Sequence, residues 1–182
     1  MAVASENNMN DFIYCQRDIP KDKWRYGLRS SARTGCGWIA TYNALKIMGY
    51  SAKPEKLIEY YEKQLPLING NIGTFMLGPA MFFKKFGFGV KTTANKKHFD
   101  ALASQADACI LFYWWKEKHK IGSHLVAFHH TNNGFVGYNT YRQSNGPDRY
   151  GQSLEQFIEK RKYFGTILIA ITDKHKKQED KL

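Results

Sequence analysis

The chain has little cysteine: Cys15, Cys36 and Cys109 are the three in 182 residues, and no CxxC pair occurs. An odd, sparse set excludes a disulfide framework and a cysteine-rich zinc site. No apolar run approaches the ~20 residues that cross a bilayer. The opening stretch, MAVASENNMNDF, is polar and lacks the basic-then-apolar order of a secretory signal. No internal repeat and no low-complexity linker interrupts the chain. These absences lead to the expectation of a soluble, cytoplasmic protein, with export by another route or release from a longer precursor left open. The length suits one domain with a sizeable core. We divide it into an N-terminal extension over 1–20, loosely ordered or lying across a cleft, a domain over 21–173, and a charged tail over 174–182.

Acidic residues are also few, 16 against 27 lysines and arginines, giving a formal net charge of +11. Such a balance raises nucleic-acid binding as a function. The charges are scattered over expected loops and helix ends, and no helix-turn-helix, RNA-binding sheet or zinc-finger pattern accompanies them. Specific nucleic-acid recognition and a membrane role are therefore not expected. A general attraction to acidic partners stays open. His129-His130 does not read as a metal site, because adjacent strand residues face opposite sides.

What the chain does contain is a run of helices followed by strands. GCGWIATYNALKIMG reads as a helix stopped by Gly49, and KPEKLIEYYEKQL as a second with Pro54 in its first turn. INGNIG reads as a turn. TFMLGPAMFFKKFG reads as a third helix capped by Thr74, with Pro79 as a warning of a kink or a later start. FGVKTT, ACILFYWW, SHLVAFHH, GFVGYNTY and TILIAIT read as strands. NKKHFDALAS and SLEQFIEKRKYF read as helices capped by Asn95 and Ser153. Asn133-Gly134 signals a hairpin. Helices first and an antiparallel sheet after define an α+β class.

Cys36 begins the first helix, between two glycines. It has two readings: a small buried residue, or a nucleophile. A helix start favours a thiolate, because free N–H groups and the dipole stabilise negative charge. A nucleophilic thiol also needs a histidine as base and acid, and that ring needs an orienting group. His124 opens one strand, and Asn139 lies in the next. A hairpin centred on Asn133-Gly134 sets position 143 opposite His124 and Asn139 near 128 or 129. A bulge or twist is then needed to join Asn139 to His124. Trp38 and Trp115 are candidate cleft walls, each with a packing role as the alternative.

In this order the pieces resemble a papain-like cysteine protease, most closely the C39 bacteriocin-processing peptidase branch. The resemblance rests on Cys36-Gly37 at a helix start, KIMGY at its end, GTFMLGPAMFFKKFGFGV, the strand ACILFYW, the motif His124-Leu125-Val126 and the following Asn139. It runs over about residues 24–172. It implies a helical half followed by an antiparallel sheet, with Cys36 as nucleophile, His124 as base and acid, and Asn139 as orienter. It further implies a peptide or protein substrate and a thioester intermediate, with no metal or organic cofactor. Hydrolysis makes the protein a peptidase, and attack by an amine makes it an acyltransferase. An inactive peptide-binding member of the fold is the other alternative.

Two departures stand out. The family usually carries Gln shortly before the nucleophile as second oxyanion donor, beside the cysteine's own N–H. Here WRYGLRSSART has neither Gln nor Asn; Ser30 occupies about that place, and Gln16 lies farther back. The branch usually has Asp-Pro where this chain has Asn139-Thr140.

Overall fold

The structure is a computed structural model that describes residues 12–64, 73–140 and 145–175. A short hairpin, β1 (Arg25–Tyr26) and β2 (Arg29–Ser30), leads into helices α1 (Ser31–Thr34), α2 (Cys36–Ile47), α3 (Pro54–Gln64) and α4 (Gly78–Lys85). Then come β3 (Gly89–Thr93), α5 (Phe99–Ser104), β4 (Ala108–Glu117), β5 (Lys120–Thr131), β6 (Gly134–Tyr138), β7 (Asp148–Gly151), α6 (Leu154–Lys160) and β8 (Phe164–Thr172). The long sheet is antiparallel throughout, in the order β3-β8-β4-β5-β6-β7.

The continuous apolar strand β4 is explained by helices on both faces. Ile110 and Phe112 join the core under α2, α3 and α4, while Cys109, Leu111 and Tyr113 join the core under α5 and α6. Strand alternation splits one run between two cores. Helix α2 is the centre of the first core: every residue from Gly37 to Leu45 is buried. A helix buried all round carries no polar stripe. The buried amide of Asn43 is satisfied from outside the helix. Its Oδ1 accepts from Ile13 N at 3.0 Å, and its Nδ2 donates to Ile13 O at 2.9 Å. These bonds fasten the segment ahead of β1 to α2.

Three expectations need correction. Helix α4 starts at Gly78 with Leu77 as its cap, so Thr74 is not an N-cap. Pro79 fixes that start, because a residue with no N–H and a locked φ fits the first turn. Thr74 instead packs on Gly37, where an added Cβ would lie 2.2 Å from its Oγ1. The β5–β6 hairpin pairs Thr131 with Gly134, so Asn132 and Asn133 form its tip. Gly134 follows with φ +99, the left-handed residue of a turn-plus-bulge hairpin. Finally, β6 ends at Tyr138 rather than running through residue 141, and the β1–β2 hairpin and the edge strand β7 are additional. The INGNIG turn lies mostly outside the described residues.

The Asn43 clasp gives a direct test. Asn43→Ala should lower the unfolding free energy by about 1–3 kcal/mol, since it leaves main-chain groups of Ile13 without partners. Urea denaturation reads the loss, and hydrogen exchange should show the Ile13 amide losing protection.

Candidate active site

Cys36 stands at the first position of α2, half-buried. The backbone N–H groups of Leu125, Cys36 and Gly37 act on its sulfur in the direction that favours a thiolate. The Leu125 N–H belongs to the peptide bond that joins it to His124. The thiol therefore sits against the main chain that carries the imidazole. The missing side chain of the next residue, Gly37, makes room for Thr74. Thr74 Oγ1 in turn donates to the hydroxyl of Tyr26 at 3.3 Å, and Tyr26 is completely buried. Neither Tyr26 nor Thr74 was signalled as a neighbour of the thiol by the sequence.

His124 lies on β5 opposite Tyr113 of β4, and the two rings meet edge to face at 5.9 Å. Its Nε2 is 2.7 Å from the main-chain oxygen of Asn139. A carbonyl only accepts, so a neutral His124 carries its proton on Nε2 and presents a lone pair on Nδ1. The hairpin register explains how this contact forms. Pairing of Ala127 with Tyr138 brings Asn139 two positions nearer to His124 than a turn centred on Asn133-Gly134. The left-handed φ of Asn139, +61, then ends the strand there.

The Asn139 side chain has a different partner. Its Oδ1 accepts from Gln16 N at 2.8 Å, and its Nδ2 donates to Gln16 Oε1 at 3.2 Å. Gln16 also donates through Nε2 to Ala32 O at 3.3 Å. The carboxamide thus holds the incoming N-terminal segment, and the carbonyl holds the histidine. Gln16, twenty positions ahead of Cys36 in sequence, sits beside Asn139 in space. Ser30 stands at the N-cap position of α1 without a side-chain capping bond and pairs with Arg25 in the short hairpin.

A cavity of about 580 Å³ opens beside these residues. Gln16, Tyr113, Trp115, His124 and Asn139 all line it. Cys36 and Ser30 are not in its wall. Trp38 has no surface to offer a cleft: it is 0% exposed, donates to Ser31 Oγ at 3.0 Å, and meets Trp24 edge-on. Among the described residues, no hydrogen bond joins the Cys36 thiol to the His124 ring, and no group of three or more His, Cys, Asp or Glu side chains could hold a metal ion. No helix among them is long and apolar enough to cross a membrane.

Burial decides the resting charge state. It pushes the Cys36 thiol up to about 11, against the three N–H groups that favour the thiolate. It pulls His124 below the ordinary histidine range, against the Asn139 carbonyl that favours the imidazolium. Both groups are therefore neutral near pH 7. Each therefore couples folding to pH. The contribution of His124 is present above the unfolded value of ~6.5 and is lost as pH falls. That of Cys36 is present below its unfolded value and is lost as pH rises towards about 11.

The same fold occurs in a solved structure. The peptidase domain of Streptococcus ComA, a bifunctional ABC transporter involved in quorum sensing, superposes with a TM-score of 0.51 at 16% sequence identity. The match covers 76% of this chain and 91% of that one. The fold is the papain-like peptidase fold. At the level of the fold, the resemblance read from the sequence therefore extends to three dimensions. No protein-family model matches the chain, and no curated protein matches it.

The charge state is testable without a substrate. Alkylation of Cys36 by iodoacetamide, followed by mass spectrometry, should be slow at neutral pH. It should still be climbing between about pH 9 and 11 as the thiol ionises. A rate already level at pH 7 would reveal a preformed thiolate and contradict the neutral pair.

Proposed function

We propose that the protein is a cysteine peptidase that cleaves a peptide or amide bond through Cys36, His124 and Asn139. The observation that carries this reading is the 2.7 Å bond from His124 Nε2 to Asn139 O. It leaves Nδ1 as the basic nitrogen of a ring attached to the peptide unit against which the Cys36 sulfur rests. The papain-like fold is consistent with that use of the three residues.

The neutral pair sets the order of events. As the sulfur attacks the substrate carbonyl, the thiol proton passes to His124 Nδ1. The carbonyl oxygen becomes an oxyanion beside the start of α2, where the Cys36 N–H is one donor and Gln16 is the amide candidate for a second. His124 then gives its proton to the departing amine, and a thioester remains on Cys36. Water attacks the thioester, with His124 again as base, to release the acid and restore the thiol. An amine in place of water would make the same site an acyltransferase. Asn139 acts through its carbonyl, which holds the ring and stabilises the imidazolium formed during each transfer.

A binding module without catalysis is the second reading. The raised thiol pKa and the placement of Cys36 outside the cavity wall favour it. The two readings separate in one assay. Incubation with p-nitrophenyl acetate, acid quench and mass spectrometry should find an acetyl group on Cys36. In His124→Gln the acylation rate should fall by roughly 10²–10⁴, the range for loss of a general base. A Cys36 that acylates no faster than in an unfolded peptide, or that ignores the His124 change, would leave the binding module.

A further inference from the structure

We infer that the cavity beside His124 receives an acidic stretch of the substrate, a peptide segment bearing Asp or Glu side chains next to the reacting bond. This inference rests on the proposed peptidase site for its setting, but its evidence is the cavity wall. Four cationic side chains line it, Arg17, Arg33, Lys116 and Arg161, against one carboxylate, Glu117. They come from four separate parts of the chain: the turn that carries Gln16, helix α1, strand β4 and the end of α6. The basic wall is therefore made by the fold and is not one run of lysines in a tail.

The wall is also partly fixed in place. Tyr113 and Tyr163 stack with ring centroids 4.0 Å apart, and their hydroxyl groups are hydrogen-bonded. Arg161 lies over the Phe157 ring at 5.8 Å, and its charge acts on the Tyr163 hydroxyl. Arg17, Arg33 and Lys116 are exposed and can swing towards a bound carboxylate. Charges of one sign converging on a concavity concentrate the opposite charge there.

A peptide fits this wall better than a nucleic acid. Single-stranded nucleic acid is held by open aromatic faces on which bases stack. The Tyr113 and Tyr163 rings already face each other. Trp115 lies against Gly122, where an added Cβ would come within 2.3 Å of its ring. Each of these three rings thus already packs against a neighbour. At about 580 Å³ the cavity has room for a few residues of an extended chain.

The test measures binding, so it does not depend on whether Cys36 is catalytic. Fluorescence anisotropy is read with a labelled Gly-Gly-Glu-Glu-Glu-Gly-Gly peptide on the wild-type chain and on Cys36→Ala. Both should bind it, more weakly as salt rises, and neither should bind the Lys counterpart comparably. Arg33→Glu and Lys116→Glu, exposed positions on different elements, should each weaken binding by roughly fivefold or more, as expected for exposed charge pairs turned repulsive. Lys84→Glu, an exposed residue of α4 outside the wall, should change it less than about twofold. Equal binding of the Lys peptide, equal weakening by Lys84→Glu, or tighter binding of a single-stranded oligonucleotide of the same charge would overturn the inference. Failure of Cys36 to acylate, with these binding results intact, would reject catalysis and keep the acidic site.

Discussion

The hydrogen bond from His124 Nε2 to the main-chain oxygen of Asn139 is the constraint on which the site depends. It assigns the tautomer of the ring and so decides which nitrogen can take a proton. It exists because β6 stops at Tyr138, the chain turns left-handed at Asn139, and the hairpin pairs Thr131 with Gly134. The Asn139 carbonyl follows directly on a paired strand of the six-stranded sheet, and that strand fixes where it lies. The Asn139 carboxamide is then available for the N-terminal segment through Gln16. One residue thus secures the histidine with its backbone and a neighbouring segment with its side chain.

Burial is the second influence. Helix α2 is enclosed between other helices and the sheet, and its first residue inherits that environment. The helix start and three N–H groups favour a thiolate at Cys36, yet desolvation outweighs them and leaves the thiol protonated. Sequence logic alone would have favoured the opposite balance, since the free N–H groups of a helix start argue for a lowered thiol pKa. Under the proposed function, a neutral thiol and a neutral imidazole suit proton transfer during attack. Protonation also protects the thiol from indiscriminate reaction, because the thiolate is scarce at neutral pH.

Much of the fold was legible because it follows period and capping. The apolar run from Ala108 reads as a buried strand and is one, and Ser153 does accept from Gln156 N as a helix cap should. Helices α2 and α3 appear within two residues of their expected ends. What was not legible depends on tertiary neighbours. Asn133-Gly134 signals a hairpin tip, but only the ladder reveals that Gly134 belongs after the tip, and that difference shifts Asn139 by two positions against His124. Thr74 looked like a cap and instead fills the space above Gly37. Trp38 looked like a groove wall and is core. The proximity of Gln16 to Asn139 spans 123 positions of sequence, and no local pattern signals it. The charged edge strand β7 is four residues long and has no clear alternation.

The most direct measurement is long-range ¹H–¹⁵N NMR of the His124 ring, which distinguishes both tautomers and the imidazolium. The ring should be neutral at pH 7 with the proton on Nε2, and should stay so as pH is lowered past the ordinary histidine value of about 6.5. A proton on Nδ1, or an imidazolium at pH 7, would contradict this assignment, because His124 would then hold no lone pair for the thiol proton.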